Sequence, residues 1–416
     1  MTPTRGPRFS LLCFGFVVCG VVTVLPGPLL PVMAARWGLR DVQSGAFFAA
    51  EFAASTVGSI FSPHRLRRNL PLGYASMTAG VLLLTFAGGT VHALPIPALG
   101  HDLAVAAFAL IGLGIGLSVT ATNLSVGMMG EDGADGVRGC AGGAGAGQGA
   151  RAGERARRIS IVNLWWGIGA VACPWMVAAA ERGGYLRGLL LVVALGTAGM
   201  FVGLSPLLRS AGAAQTLPRG ALAVDARILV FFAAFLSLYV GVETVVGGWI
   251  TTYAHRFGGM TLAHASLTVS LYWLALLAGR WVGSVALKSV AERTVLVPGL
   301  GVALIAVTML LAPHSTAMML VAVVVAGAGL GPVFPIGISR MLARVRDHRN
   351  TGWVFAMCAS GGAVLPWVTG LVSTRSGSLR IGFAVPVAAL AAILVLAVAE
   401  NAFLREPDGG DAAKIG

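Results

Sequence analysis

Twelve stretches of about twenty apolar residues dominate the chain, and a helix needs a run of that length to cross the hydrocarbon core of a bilayer. They fall at roughly 9–33, 43–61, 71–88, 103–128, 159–180, 188–207, 228–252, 266–287, 294–312, 317–338, 353–373 and 381–402. The chain is 56% hydrophobic and 11% charged over 416 residues, whereas soluble domains carry about 25% charge. So little charge cannot cover a water-facing surface. The expected fold class is an all-α integral membrane protein with twelve transmembrane helices.

The first apolar run follows an Arg-bearing start, as in a signal peptide. It extends from Phe9 to Met33, beyond the roughly 7–15 residues of a secretory apolar region, and is expected to be an uncleaved first span. Orientation follows from the basic residues. With the N-terminus in the cytoplasm, 21 of the 29 Lys and Arg lie on that side. Arg65, Arg67 and Arg68 follow the second span, and Arg340, Arg344, Arg346 and Arg349 follow the tenth. Seven (Arg36, Arg40, Arg182, Arg187, Arg256, Arg375, Arg380) lie outside, and Arg280 lies within the eighth span. This is the positive-inside asymmetry. It places both termini in the cytoplasm and accounts for the net charge of +13 without a nucleic-acid partner. The five Cys (Cys13, Cys19, Cys140, Cys173, Cys358) show no CxxC spacing, so neither a disulfide framework nor a metal site is expected.

The two halves of the chain look like repeats. "ARWG" (35–38) ends the first span and "HRFG" (255–258) the seventh, while "VGS" recurs at 57–59 and 282–284. "GLGIG" (112–116) in span 4 parallels "GAGLG" (327–331) in span 10, an offset of 215. Gly169 precedes Pro174-Trp175 in span 5 as Gly361 precedes Pro366-Trp367 in span 11, an offset of 192. The difference matches a Gly/Ala-rich insert between spans 4 and 5. The predicted organisation is an N-terminal six-helix bundle over 1–207, a linker over 208–226, a C-terminal bundle over 227–404 and a tail over 405–416. The insert, within a loop over 129–158, has few apolar side chains to bury and is expected to be flexible and cytoplasmic. Two six-helix halves in parallel repeat is the major-facilitator arrangement. No Gly-Lys phosphate cradle occurs, because Leu287 precedes Lys288 and Ala413 precedes Lys414. With no nucleotide motor, no cofactor and no nucleophile–base constellation, the chain reads as a non-enzyme.

Two carboxylates lie well inside spans, Glu51 in span 2 and Glu243 in span 7. An acidic residue at mid-bilayer costs roughly 2.5–3.5 kcal/mol, against about −0.5 kcal/mol for Leu. Such groups therefore face a bundle interior or an aqueous cavity. Tyr239, Glu243 and Gly247 are spaced four apart and share one helix face. Gly247-Gly248 weakens the helix there, and a helix that breaks beside a cavity offers carbonyls to a cation or sugar. Asn123 and Asn163 carry amide donors and acceptors suited to sugar hydroxyls. Trp166, three residues after Asn163, and Trp249, Tyr272 and Trp273 supply aromatic faces. Against these readings stand structural ones: a hydrogen-bonded carboxylate for Glu51 or Glu243, and lipid or interfacial contact for each Trp. The glycine runs of spans 4 and 10 follow no strand and read as close helix packing.

Three stretches resemble the fucose–galactose–glucose symporter family of the major facilitator superfamily, with sodium-dependent glucose transporters as the nearest branch: "YVGVETVVGGWITTYA" (239–254), "TATNLSV" (120–126) and "VNLWWGIGAVACPW" (162–175). The resemblance implies alternating access and symport of a hexose with a proton or sodium ion. It implies a sugar site lined by Asn123, Asn163 and Trp166, with Glu243 at the cavity. The acid that fucose permeases carry four positions before the span 4 Asn is Val119 here, and their span 1 acid has no counterpart in "VLPGPLLP". The loop 2–3 motif, "GSIFSPHRLRRN", keeps Gly58 and Arg65 without an Asp, and span 8 keeps Arg280 in "GRWVG". Those three residues are the expected gating positions.

The expectation is a monomeric, lipid-embedded secondary transporter of an inner or plasma membrane. It would move a hexose-like sugar or related small polar metabolite, with a sodium ion or proton bound at Glu243 and Glu51 coupling the movement. A proton-linked exporter of drugs or metabolites on the same fold is the first alternative. A membrane sensor with a cytoplasmic partner is the second.

Overall fold

The computed structural model describes residues 6–87, 97–128, 144–206, 226–312, 315–344 and 351–403. Within them the chain is helical and contains no strand. The N-terminal half comprises α1 (Gly6–Val24), α2 (Pro26–Trp37), α3 (Asp41–Phe61), α4 (Leu66–Phe86), α5 (Pro97–Met128), α6 (Ala144–Arg182) and α7 (Leu186–Leu204). The C-terminal half comprises α8 (Ala226–Phe257), α9 (Leu262–Ala286), α10 (Glu292–Met309), α11 (Thr316–Leu330), α12 (Val333–Arg344), α13 (Thr351–Ser376), α14 (Leu379–Gly382) and α15 (Ala384–Phe403).

Among the described residues, eleven spans are long and apolar enough to cross a membrane. Span 1 joins α1 to α2 across Leu25, just before Pro26, and span 10 joins α11 to α12 across Gly331-Pro332. The remaining one, span 2, is α3. It has the required 21 residues but dilutes its apolar character with Asp41, Gln43, Ser44 and Glu51. It can do so because both its faces are covered, by α5 on one side and α13 on the other. The outward faces of the other helices carry large exposed apolar residues such as Leu195, Trp281, Ile305 and Val395. A contiguous apolar exterior of this kind belongs against lipid, and the protein is a multi-span membrane protein.

The repeat read from the sequence recurs in the packing. Gly112 and Gly116 of α5 lie directly against the backbone of Glu51 and Ser55 on α3, and Gly114 lies against Gly73 on α4. In the second half Gly327 and Gly331 meet Tyr272 and Leu276 on α9, and Gly329 meets Gly299 on α10. Span 4 thus packs on spans 2 and 3 as span 10 packs on spans 8 and 9. Likewise Gly169 of α6 abuts Val17 of α1, and Gly361 of α13 abuts Ser237 of α8. These glycines let helix backbones touch, the packing role expected of them.

Two corrections concern local structure. The insert is not wholly a loop: α6 begins at Ala144, so 144–158 is helical, and only 129–143 lies outside the described residues. Alanine, arginine and glutamate favour helix, and here they outweigh the glycines between them. Nor does α8 break at Gly247-Gly248; it is continuous from Ala226 to Phe257. Those glycines serve close approach instead. A Cβ on Gly248 would lie 2.5 Å from Phe48 Cζ. The linker at 208–225 and the tail at 405–416 lie outside the described residues.

The halves meet along two lateral seams, α3 with α13 and α6 with α9. The first is stitched by Val42 N donating to Thr374 Oγ1 at 2.9 Å and by Thr56 Oγ1 donating to Ala356 O at 3.3 Å. The second carries Ser270 Oγ donating to Val171 O at 3.0 Å. Span 1 packs on the second half through α2, the segment nearer the Asp41 end, against α8 and α9. At that end Arg256 Nη1 and Nη2 donate to both oxygens of Asp41 at 2.7 Å each, and Ser373 Oγ donates to Asp41 Oδ2 at 2.5 Å. The bundle is thereby tied shut at the end remote from Gly6 and Phe403.

Candidate functional site

Four of the residues singled out from sequence converge where α8 and α9 face each other. Tyr239 and Glu243 stand one turn apart on α8, and the Tyr239 hydroxyl donates to Glu243 Oε1 at 3.1 Å. Arg280 Nη2 on α9 donates to the same oxygen at 3.0 Å. Tyr272, also on α9, donates through its hydroxyl to the Glu243 backbone carbonyl at 3.4 Å. Phe334 of α12 stacks against Tyr239, with ring centroids 5.7 Å apart. The carboxylate and guanidinium are 14% and 24% exposed, so the pair is neither sealed in the core nor open to bulk solvent. Oppositely charged groups inside a membrane bundle pair in this way because neither is tolerated alone.

Trp273 stands over Gly247, where a Cβ would lie 3.0 Å from its Cζ2. Its indole N–H is buried and has no hydrogen-bond partner among the described residues, and the same holds for Arg280 Nε. Trp273 also meets Trp166 of α6 edge to face at 5.5 Å, which carries the aromatic surface across the boundary between halves. One turn from Trp166, Asn163 Nδ2 donates to Asn123 Oδ1 at 3.1 Å and to Ile159 O at 2.8 Å. Asn123 Nδ2 donates to Val119 O at 3.0 Å. A chain of polar and aromatic groups therefore runs from the amide pair in the first half to the ion pair in the second.

The other residues singled out from sequence sit elsewhere. Trp249 is fully buried, its N–H donating to Pro366 O at 3.1 Å and its ring facing Phe48 at 6.2 Å. It fastens α8 to α13 and α3 rather than joining the Glu243 cluster. Glu51 is 1% exposed within the first half and also lies outside the cluster. Gly58 supports the α3–α5 crossing, with Leu113 O 2.5 Å from where its Cβ would be. Arg65 ends the short 3-10 turn Ser62–Arg65 and is exposed. Arg280, expected at a gate, pairs with Glu243. The sequence carried a signal for this pairing, two opposite charges within adjacent spans, but the 37-residue separation hid it. The Asp41–Arg256–Ser373 cluster was not anticipated. Nor was a second cluster at the other end of the bundle. There Arg340 lies 2.7 Å from Glu400 and 3.6 Å from Glu292, and Ser339 donates to Glu292 at 3.0 Å.

No protein-family model and no curated protein matches the chain. Solved structures do match. The E. coli fucose:proton symporter FucP aligns with a TM-score of 0.61 at 17% identity, covering 94% of this chain and 98% of that one. A structure of FucP described as a major facilitator superfamily transporter in the outward conformation aligns equally well. A D-xylose–proton symporter aligns with a TM-score of 0.72 at 12% identity, covering 96% and 98%. The chain has the major facilitator fold. In that fold's terms the polar chain from Asn123 to Arg280 involves spans 4, 5, 7 and 8 and reaches both sides of the boundary between the six-helix halves. The first-half end comes from α5 and α6, the second-half end from α8 and α9. The major facilitator halves here are closed on each other at the Asp41 end.

Proposed function

We propose that the protein is a secondary transporter that moves a hexose-like sugar or related small polar metabolite by alternating access, coupled to a cation. The observation that carries this reading is the convergence of Tyr239, Glu243, Tyr272, Trp273 and Arg280, with Trp166 bridging to the amides of Asn123 and Asn163. A polyol needs several convergent donors and acceptors and an apolar plate for its ring face. Glu243 supplies acceptor capacity beyond the oxygen already used, and Arg280 Nε and Trp273 Nε1 supply unsatisfied donors. The tryptophans supply the plate. Major facilitator substrates bind between the halves near mid-bilayer, and the contact of Trp166 with Trp273 across the boundary between the halves supports placing the site there. The solved fucose and xylose symporters on the same fold are consistent with that substrate class.

The ion pair refines the role of Glu243. Its charge is already met by Arg280, so it acts first as a substrate-orienting acceptor held in place by Tyr239 and Arg280. The protein sits in an inner or plasma membrane with both termini cytoplasmic, as the basic residues direct. The Asp41 lock then closes the outer side. The deciding experiment is uptake of labelled fucose, galactose and glucose into proteoliposomes under separately imposed proton and sodium gradients. Accumulation of one of these sugars above its equilibrium distribution supports the reading. Export of amphipathic cations with no sugar movement would replace it with the exporter alternative.

A further inference from the structure

Glu51 presents a different chemical problem from Glu243. Its side chain is 1% exposed, and both carboxyl oxygens are buried without a hydrogen-bond partner among the described residues. A structural carboxylate that knits helices together is expected to be satisfied, and this one is not. An ionised carboxylate buried unpaired costs several kcal/mol or more. A neutral carboxylic acid removes the charge and leaves a much smaller deficit.

Around Glu51 the helices pack closely. Gly112 of α5 packs on its backbone, while the next residue on α3, Phe52, faces Gly362 of α13. The carboxyl is within electrostatic reach of the Cys19 thiol on α1, which itself neighbours Thr23 and Ser118. Thr122, one turn beyond Ser118 on α5, is also buried, with no hydrogen-bond partner for its hydroxyl among the described residues. On α5, His101 and Asp102 pair at 3.0 Å near the outer end, where His101 reaches Gln43 O, about two turns from Glu51. On α13, Arg375 lies at the Asp41 end, and Cys358 lies one turn from Gly362 in the opposite direction. Arg36 of α2 is at the Asp41 end too. No Arg, Lys or His among the described residues is paired with Glu51, in contrast to Glu243 and Arg280.

We infer that Glu51, buried on α3 where that helix packs against α5, is the site that takes up and releases the coupling proton, separate from the proposed substrate-binding ion pair. This rests on the transporter reading above and assigns its cation. In the conformation closed at the Asp41 end the carboxyl holds the proton. Binding forms an O–H bond on Glu51 with a proton taken from water on the side of higher proton activity. Release breaks that bond and returns the proton to water on the other side. One carboxyl with a thiol and hydroxyls is a poor cage for a sodium ion, which needs several oxygen ligands.

The test has two parts, so that failure of the proton assignment and failure of the sugar reading are distinguishable. Infrared difference spectroscopy of the full-length reconstituted protein reads the carboxylic-acid C=O stretch and needs no sugar. At neutral pH the wild type should show such a band, shifted in D2O, that is absent from Glu51→Gln, displaced in Glu51→Asp and retained in Glu243→Gln. A band unchanged in Glu51→Gln, or none in the wild type, overturns the assignment. In proteoliposomes with labelled fucose, galactose and glucose, Glu51→Gln should keep sugar exchange at wild-type rate and lose accumulation driven by a pH gradient. Full pH-driven accumulation in Glu51→Gln overturns the proposal, as does accumulation that only sodium drives. If the wild type moves none of the sugars, the substrate reading fails while the infrared result still decides Glu51.

Discussion

The Asp41–Arg256 pair ties the first half to the second at the closed end, and replacing Arg256 by Gln tests whether it governs that closure. Arg256 makes two bonds of 2.7 Å to Asp41, which also accepts from Ser373 at 2.5 Å. Asp41 is 8% exposed and Arg256 37%. Exposed ion pairs contribute about 0–1 kcal/mol, while breaking a buried pair costs about 3–5 kcal/mol. The half-exposed guanidinium places this one between, at about 2 kcal/mol. Because roughly 1.4 kcal/mol is a factor of ten in an equilibrium constant, the closed-to-open ratio at this end should fall about thirtyfold. Spin labels at Arg40→Cys, next to Asp41, and at His264→Cys, in the first turn of α9, both exposed, report the separation by pulsed electron resonance. The wild type should give one short distance, and Arg256→Gln should add a longer population. Arg256→Lys should fall between, since an ammonium cannot reproduce the two-pronged contact. An unchanged distribution in Arg256→Gln would refute the reasoning and reduce the pair to a surface ornament.

Three further outcomes follow from the site. Glu243→Gln removes a charge-assisted bond from Arg280 worth about 1.5–3 kcal/mol, and labelled-sugar binding should weaken roughly tenfold to a hundredfold with the fold intact by circular dichroism. Gly247→Ala places a methyl 3.0 Å from Trp273 Cζ2 and should displace that ring; the check is weaker sugar binding with little change in melting temperature. Trp249→Phe strips a buried N–H from Pro366 O, a net loss of about 0.5–1.5 kcal/mol. It should lower the melting temperature while leaving sugar affinity unaltered, which separates Trp249 from the tryptophans of the site.

The spans, the two halves and the glycine correspondences were legible because the bilayer imposes a length and close packing imposes small residues, and both leave local traces. Contacts between distant residues leave none. Arg280 and Glu243 are 37 positions apart, and Asp41 and Arg256 are 215 apart. Each charge was visible, but its partner was not. Gly247-Gly248 misled because glycine weakens a helix in isolation, while here Trp273 and Phe48 need the space and α8 stays continuous. The helical start of α6 was hidden for the converse reason, since glycine content outweighed the alanine and arginine between. Trp249 and Trp166 looked alike as sequence. Only the fold assigns one to the seam and the other to the polar chain.

The placement of charge on two helices suggests how the parts act together. α3 carries Asp41 at its outer end and Glu51 ten residues further in, about 15 Å along the axis. α8 carries Arg256 at its outer end and Glu243 thirteen residues further in, about 20 Å away. The lock therefore joins the helix bearing the proposed proton site to the helix bearing the proposed substrate-binding pair, and a rigid helix moves as one body. A ligand can shift a conformational equilibrium only by its difference in affinity for the two states. With a lock of about 2 kcal/mol, protonation at Glu51 and binding at Glu243 need differ between states by only a few kcal/mol together, within the usual range of coupling energies. A stronger lock would hold the protein in one state, and a much weaker one would let either ligand cross alone. The half-exposed position of Arg256, which limits the strength of its pair, is consistent with a gate that two modest binding events can turn.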